Sequence, residues 1–124
     1  MSKRILIVED EANIVESLAF LLRRDGFDVS TVPDGARAMG EAERLAPDLM
    51  ILDVMLPNLS GFDVLRDLRA HGELGRIPVM MLTAKGQTRD REQAEQLGAD
   101  LFMTKPFSNA EIIAQARRLT GADG

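Results

Sequence analysis

Polar side chains capable of chemistry follow directly on short apolar runs in this chain. Glu9 and Asp10 follow Ile5 to Val8, Asp53 closes the run from Leu49, Thr83 follows Val79 to Leu82, and Lys105-Pro106 follow Leu101 to Thr104. In open α/β sheets, ligands sit outside the carboxyl ends of the strands, where all of these residues fall if the runs are strands. Neighbouring strands lie about 4.8 Å apart, so carboxylates at adjacent strand ends can share one ligand. Crowded in this way, Glu9, Asp10 and Asp53 repel one another, and at least one pKa must rise unless counter-charge is supplied. A lysine and a hard cation with oxygen ligands relieve that repulsion, and magnesium is the natural guest. The chain has no cysteine, which excludes thiol nucleophiles, thiolate zinc sites and disulfides.

The runs that must position these groups lie at Arg4 to Val8, Asp28 to Val32, Leu49 to Asp53, Val79 to Leu82 and Leu101 to Thr104. Several are apolar without polar alternation, as in parallel strands covered on both faces. Helix-like segments separate them, which reads as repeated βα units. Ile14, Leu18, Leu21 and Leu22 recur at helical spacing, with Gly26 as a C-cap candidate. Asp34 can cap a second helix that buries Ala38, Met39, Ala42 and Leu45 and ends before Pro47. Ser60 opens a third with Phe62, Leu65 and Leu68 inward, closed near His71-Gly72. Ser108 and Glu111 stand in capping-box spacing ahead of Ile112, Ile113, Ala116 and Leu119. The segment from Thr88 to Leu97 differs, because its apolar stripe is little more than Ala94 and Leu97, and weak packing is expected there. The methionines fall mostly in strands or at inward helical positions and read as core filler.

A length of 124 residues supports one domain, expected over the whole chain with its core between about Lys3 and Thr120. The composition, 45% hydrophobic and 28% charged, is that of a globular protein. No apolar run approaches the length of a membrane span, and the N-terminus lacks the apolar stretch of a secretory signal, so a cytoplasmic location is expected. A net charge of −5 argues against gripping nucleic acid by phosphate neutralisation.

Taken singly, these residues have ordinary readings. Acids favour helix N-termini, Thr83 suits a helix cap, and Lys105 suits a solvated loop. As an ordered set they are specific. Glu9-Asp10, Asp53 followed by Pro57 and Gly61, Thr83-Ala84, and Lys105-Pro106-Phe107 together resemble the receiver domain of two-component response regulators, over essentially the whole chain. The resemblance implies an α/β fold: a (βα)5 doubly wound, five-stranded parallel sheet in the order 2-1-3-4-5, a flavodoxin-like three-layer sandwich. It implies a signalling switch that takes a phosphoryl group onto Asp53 from a sensor histidine kinase or a histidine phosphotransfer protein. By the same resemblance Asp10, Asp53 and the backbone carbonyl of Met55 would bind Mg2+, with Glu9 acting mainly through coordinated water. Lys105 would pair with Asp53 or the phosphoryl oxygens, and its peptide to Pro106 would be cis. Thr83 and Phe102 would be the switch residues, with Phe102 replacing a frequent tyrosine and so signalling by packing rather than through a phenol hydroxyl. Met55 and Lys85 would flank the path of the attacking water and set the lifetime of the phosphorylated state.

The chain is expected to catalyse only its own phosphorylation and dephosphorylation. The alternative, a stand-alone aspartyl-phosphate phosphatase or phosphotransferase of haloacid-dehalogenase type, wants a second aspartate where Met55 stands. A nucleotide-binding protein is disfavoured, since no glycine fingerprint opens a helix and Lys85-Gly86 lacks phosphate-loop spacing. The output face is expected on the fourth helix, fifth strand and fifth helix, acting on a partner or an effector domain. Arg91, Asp100 and Glu111 match the charges through which the winged-helix subfamily dimerises, whereas Leu101 and Gln115 replace a usual acid and arginine. The expectation is a monomer or a weak dimer promoted by phosphorylation. His71, the only histidine, reads as a surface residue at a helix end.

Overall fold

Every apolar run forms a strand, and the amphipathic segments between them form the covering helices. The computed structural model describes residues 2–83 and 88–122, with side chains for all of these but 88 and 89. The strands are β1 (Arg4–Val8), β2 (Asp28–Val32), β3 (Leu49–Asp53), β4 (Val79–Thr83) and β5 (Leu101–Thr104). They alternate with α1 (Ala12–Arg24), α2 (Ala38–Leu45), α3 (Gly61–Ala70), α4 (Thr88–Gln96) and α5 (Asn109–Thr120). The strands form one parallel sheet in the order β2-β1-β3-β4-β5, as expected.

Two apolar clusters explain why the central strands lack alternation. On one face Leu6, Val8, Met50, Leu52, Val79 and Met81 pack with Ala42 of α2, Val64, Leu65 and Leu68 of α3, and Ala94 of α4. On the other, Ile5, Ile7, Leu49, Ile51, Met80 and Leu82 pack with Leu18 and Leu22 of α1 and Ile112 and Ala116 of α5. Both sides of β1, β3 and β4 are therefore covered, and polar residues enter these strands only at their ends, as Arg4, Asp53 and Thr83. As anticipated, α4 is the thinly held helix, with Ala94 buried and Leu97 only partly covered. No described helix is long and apolar enough to cross a membrane.

Local signals set the helix ends. Ser60 Oγ accepts from the Asp63 backbone N–H, and Ser108 Oγ accepts from that of Glu111, each satisfying an otherwise unpaired first-turn donor. Gly26 takes φ +99° just after α1, a conformation that costs a side-chain-bearing residue dearly. The Asp34 cap differs from expectation. Its carboxylate accepts from the Arg37 N–H and caps a short 3-10 turn, Gly35–Arg37, which leads into α2. His71 is the C-cap residue of α3, and its Nδ1 accepts from the Leu74 N–H at 3.4 Å.

Candidate functional site

Sheet register brings the sequence-predicted residues to one level. Val8 pairs with Leu52, Asp53 with Leu82, and Thr83 with Thr104, so β1, β3, β4 and β5 end together and their following residues converge. Ligand oxygens of Glu9, Asp10 and Asp53 lie within 4.8 Å of one another. Asp10 is exposed, while Glu9 and Asp53 are only 1% and 4% exposed.

Lys105 closes the cluster. Its Nζ donates to Glu9 Oε1 at 2.7 Å and to Asp53 Oδ1 at 3.2 Å. The other Glu9 oxygen accepts from the backbone N–H groups of Asp10, at 3.0 Å, and Glu11, at 3.2 Å. Burial, followed by the charge of Glu9, pushes the Asp53 pKa up to about 6, with Lys105 opposing the rise. Burial also works against the Lys105 ammonium, but its hydrogen bond to Glu9 and the charges of Asp53 and Glu9 outweigh this and hold its pKa above the usual lysine range. Fully ionised, three carboxylates against one ammonium leave two negative charges in a confined site. That donor set, all oxygen and doubly negative, suits a hard divalent cation.

The segment after β3 is pinned by two glycines. Val54 N–H donates to Leu82 O, extending the ladder past the end of β3, and Gly61 N–H donates to Val54 O, both at 2.9 Å. A Cβ on Gly61 would fall 2.1 Å from the carbonyl oxygen of Asp53, so the first residue of α3 sits directly on the strand end that carries the carboxylate. Across the loop, Gly35 N–H donates to Pro57 O at 3.3 Å, and a Cβ there would meet Leu59 O at 2.0 Å. Met55, between these anchors, is 74% exposed and is thus not core filler, unlike the buried Met50, Met80, Met81 and Met103.

Thr83 is buried at the end of β4, and its carbonyl accepts from Lys105 N–H at 2.7 Å. The Lys105–Pro106 peptide is cis. Phe102 is buried on β5, and the Arg91 guanidinium of α4 lies 5.2 Å from its ring centroid. Lys85 lies outside the described residues. Sequence reasoning missed the preference of Lys105 for Glu9, which no spacing rule reveals because the two are 96 residues apart. It also missed Arg69, whose guanidinium ties α3 to the carbonyls of Gly75, Ile77 and Gly98 and to Asp100 at 3.0 Å, at the opposite end of the sheet. Asp100, read as a dimer charge, is thereby engaged within the chain.

Residues 5–117 match the family model described as the response regulator receiver domain. The chain is 46% identical over 121 residues to the sensory transduction protein RegX3 of Mycolicibacterium smegmatis, covering 96% of this chain and 52% of that protein. It is 45% identical over 119 residues to the alkaline phosphatase synthesis transcriptional regulatory protein PhoP of Bacillus subtilis, covering 96% of this chain and 49% of that protein. It thus spans about half the length of each. Among solved structures, the receiver domain of the sensor histidine kinase PA1611 from Pseudomonas aeruginosa, with a magnesium ion coordinated in its active site cleft, superposes with a TM-score of 0.90 at 35% identity. That match covers 98% of this chain and 99% of the other. The fold, the acidic strand-end cluster and these matches converge: the chain belongs to the response regulator receiver domain family and is a phospho-accepting signalling switch.

Proposed function

We propose that Asp53 is the phosphoryl acceptor of this switch, and that the chain catalyses only its own phosphorylation and dephosphorylation. The observation that carries this is the Asp53 carboxylate, buried at a strand end with Lys105 Nζ at 3.2 Å and the ligand oxygens of Glu9 and Asp10 within 4.8 Å. In the transfer, an Asp53 oxygen attacks phosphorus, and the bond from phosphorus to the donor's imidazole nitrogen or acyl oxygen breaks. The product is an acyl phosphate, and the donor leaves with the bonding electron pair. Lys105 stands where negative charge accumulates on the transferring oxygens and contributes a fixed positive charge to them.

Glu9, Asp10, Asp53 and the backbone carbonyl of Met55 are the groups proposed to hold Mg2+, with Glu9 acting mainly through water. When bound, the ion would supply positive charge to the phosphoryl oxygens. Thr83 and Phe102 are proposed as the switch pair, acting on the face of α4, β5 and α5. The position of Arg91 over Phe102 supports coupling of that ring to the thinly packed α4. Met55 and Lys85 are proposed to set the lifetime of the phosphorylated state. The proposal extends to one receiver domain over the whole chain, with its core between about Lys3 and Thr120, working as a monomer or a weak dimer promoted by phosphorylation. Its phosphodonor is a sensor histidine kinase or a phosphotransfer protein, its location is cytoplasmic, and it passes the signal to a partner or effector domain. Incubation with a small acyl phosphate and Mg2+ should add one hydroxylamine-labile phosphate, absent in Asp53→Asn. Stoichiometric labelling of that variant would overturn the assignment, and rapid release of free phosphate would favour a stand-alone phosphatase.

A further inference from the structure

Met55 stands apart from the methionines around it. Its side chain is 74% exposed, whereas Met50, Met80 and Met81 are fully buried, Met103 is 7% exposed, and Met39 packs against the core. A thioether so placed contributes little to packing and is open to solutes. It is also two residues beyond Asp53, on a loop held from both sides by the close approaches of Gly35 to Leu59 and of Gly61 to Asp53.

We propose that Met55 is an oxidation site, at which a peroxide converts the thioether to a sulfoxide and so shortens the life of the phosphorylated state. The second half of this proposal rests on the acceptor role proposed for Asp53. In the reaction, the sulfur lone pair attacks one peroxide oxygen. The S–O bond forms as the O–O bond breaks, sulfur loses two electrons, and the other oxygen leaves as water or an alcohol once it has taken up a proton. The thioether is a weak hydrogen-bond acceptor, whereas the sulfoxide oxygen is a strong, polar one. Carried two residues beyond the acceptor, that oxygen would accept from a water approaching the acyl phosphate. The modification is reversible by sulfoxide reductases, so it would couple the lifetime of the signal to oxidant exposure without touching Asp53.

The test uses the full chain treated with limiting hydrogen peroxide, quenched, and mapped by peptide mass. Fragmentation of the peptides assigns each sulfoxide, since no Lys or Arg separates Met50 from Met55, and sulfoxide should appear at Met55 well before Met39, Met50, Met80, Met81 and Met103. Met1, outside the described residues, is scored separately. Wild type and Met55→Leu are then phosphorylated with acyl phosphate and Mg2+, each compared with its own untreated sample. Peroxide should shorten the phosphoryl half-life of wild type roughly fivefold, the equivalent of one net hydrogen bond to the attacking water, and leave that of Met55→Leu unchanged. Met55→Gln, which places a fixed polar acceptor there, should shorten the half-life without peroxide. Oxidation spread evenly over the mapped methionines overturns the site. Sulfoxide confined to Met55 with an unchanged half-life overturns the regulatory consequence. If the untreated protein takes no phosphoryl group, the reading of Asp53 and the lifetime consequence resting on it both fail, while the mass map still decides the oxidation site.

Discussion

Replacing Asp53 by asparagine should stabilise the metal-free protein at neutral pH, although it removes the proposed acceptor. The carboxylate is 4% exposed and lies beside buried Glu9, and its pKa rises from an ordinary 3.8 to about 6. A carboxyl whose folded pKa is raised binds its proton more tightly in the folded state, so stability falls as pH rises from about 4 to 6, and the loss is complete above that window. Each pH unit between the two values is worth about 1.4 kcal/mol, which puts the penalty of ionised Asp53 at pH 7 near 3 kcal/mol as an upper bound. Asparagine forfeits the ionic contact with Lys105, but Lys105 keeps its shorter bond to Glu9, at 2.7 Å. Because the rise to about 6 already contains the opposing pull of Lys105, the gain is bounded by that penalty, and about 1–2 kcal/mol is expected once the desolvation of the buried amide is subtracted. Urea denaturation in chelator, from pH 4 to 8, should show the variant more stable at pH 7 and the gap closing towards pH 4. Added Mg2+ should stabilise wild type more than the variant and narrow the gap again. A variant less stable than wild type at pH 7 in chelator, or a gap independent of pH, would refute the claim that burial and Glu9 strain the ionised carboxylate.

Lys105→Ala removes the cation bridging two buried carboxylates and should cost about 3 kcal/mol without metal, partly restored by Mg2+ in the same denaturation assay. It should also lose most of the amide chemical-shift change that phosphorylation produces in wild type, as measured by NMR. Gly61→Ala forces a methyl to within 2.1 Å of the Asp53 carbonyl oxygen, so it should destabilise by about 1–3 kcal/mol and slow acyl-phosphate labelling. Labelling at the wild-type rate would show that the seat of α3 does not position the carboxylate. Asp10→Asn removes an exposed, charged member of the acidic cluster and should weaken Mg2+ binding roughly tenfold or more, about 1.4 kcal/mol, by calorimetric titration. Unchanged affinity would place Asp10 outside the ion's immediate ligands.

The strands, the helices and the end of the sheet that carries the polar residues were all determined by the sequence alone. Strands buried on both faces read as continuous apolar runs, and Ser60 and Ser108 announce their helices through local hydrogen bonds that need only three residues of chain. The ordered set of Glu9, Asp10, Asp53, Thr83 and Lys105 was legible for the same reason, since strand ends are where βα units present ligands. Tertiary structure decided what those residues do to one another. That Lys105 lies closer to Glu9 than to Asp53, and that Asp53 is buried beside an acid and an ammonium, depends on strand register across the whole sheet. The contacts of Gly61 with the Asp53 carbonyl, Arg91 with the Phe102 ring and Arg69 with Asp100 likewise join segments with no shared periodicity. Even the exposure of Met55 could not be read from its type, because methionine is ordinarily core filler. Periodicity reports which face a residue takes within its own element, whereas distances between elements are set only when the sheet and its two helical layers close around a common core.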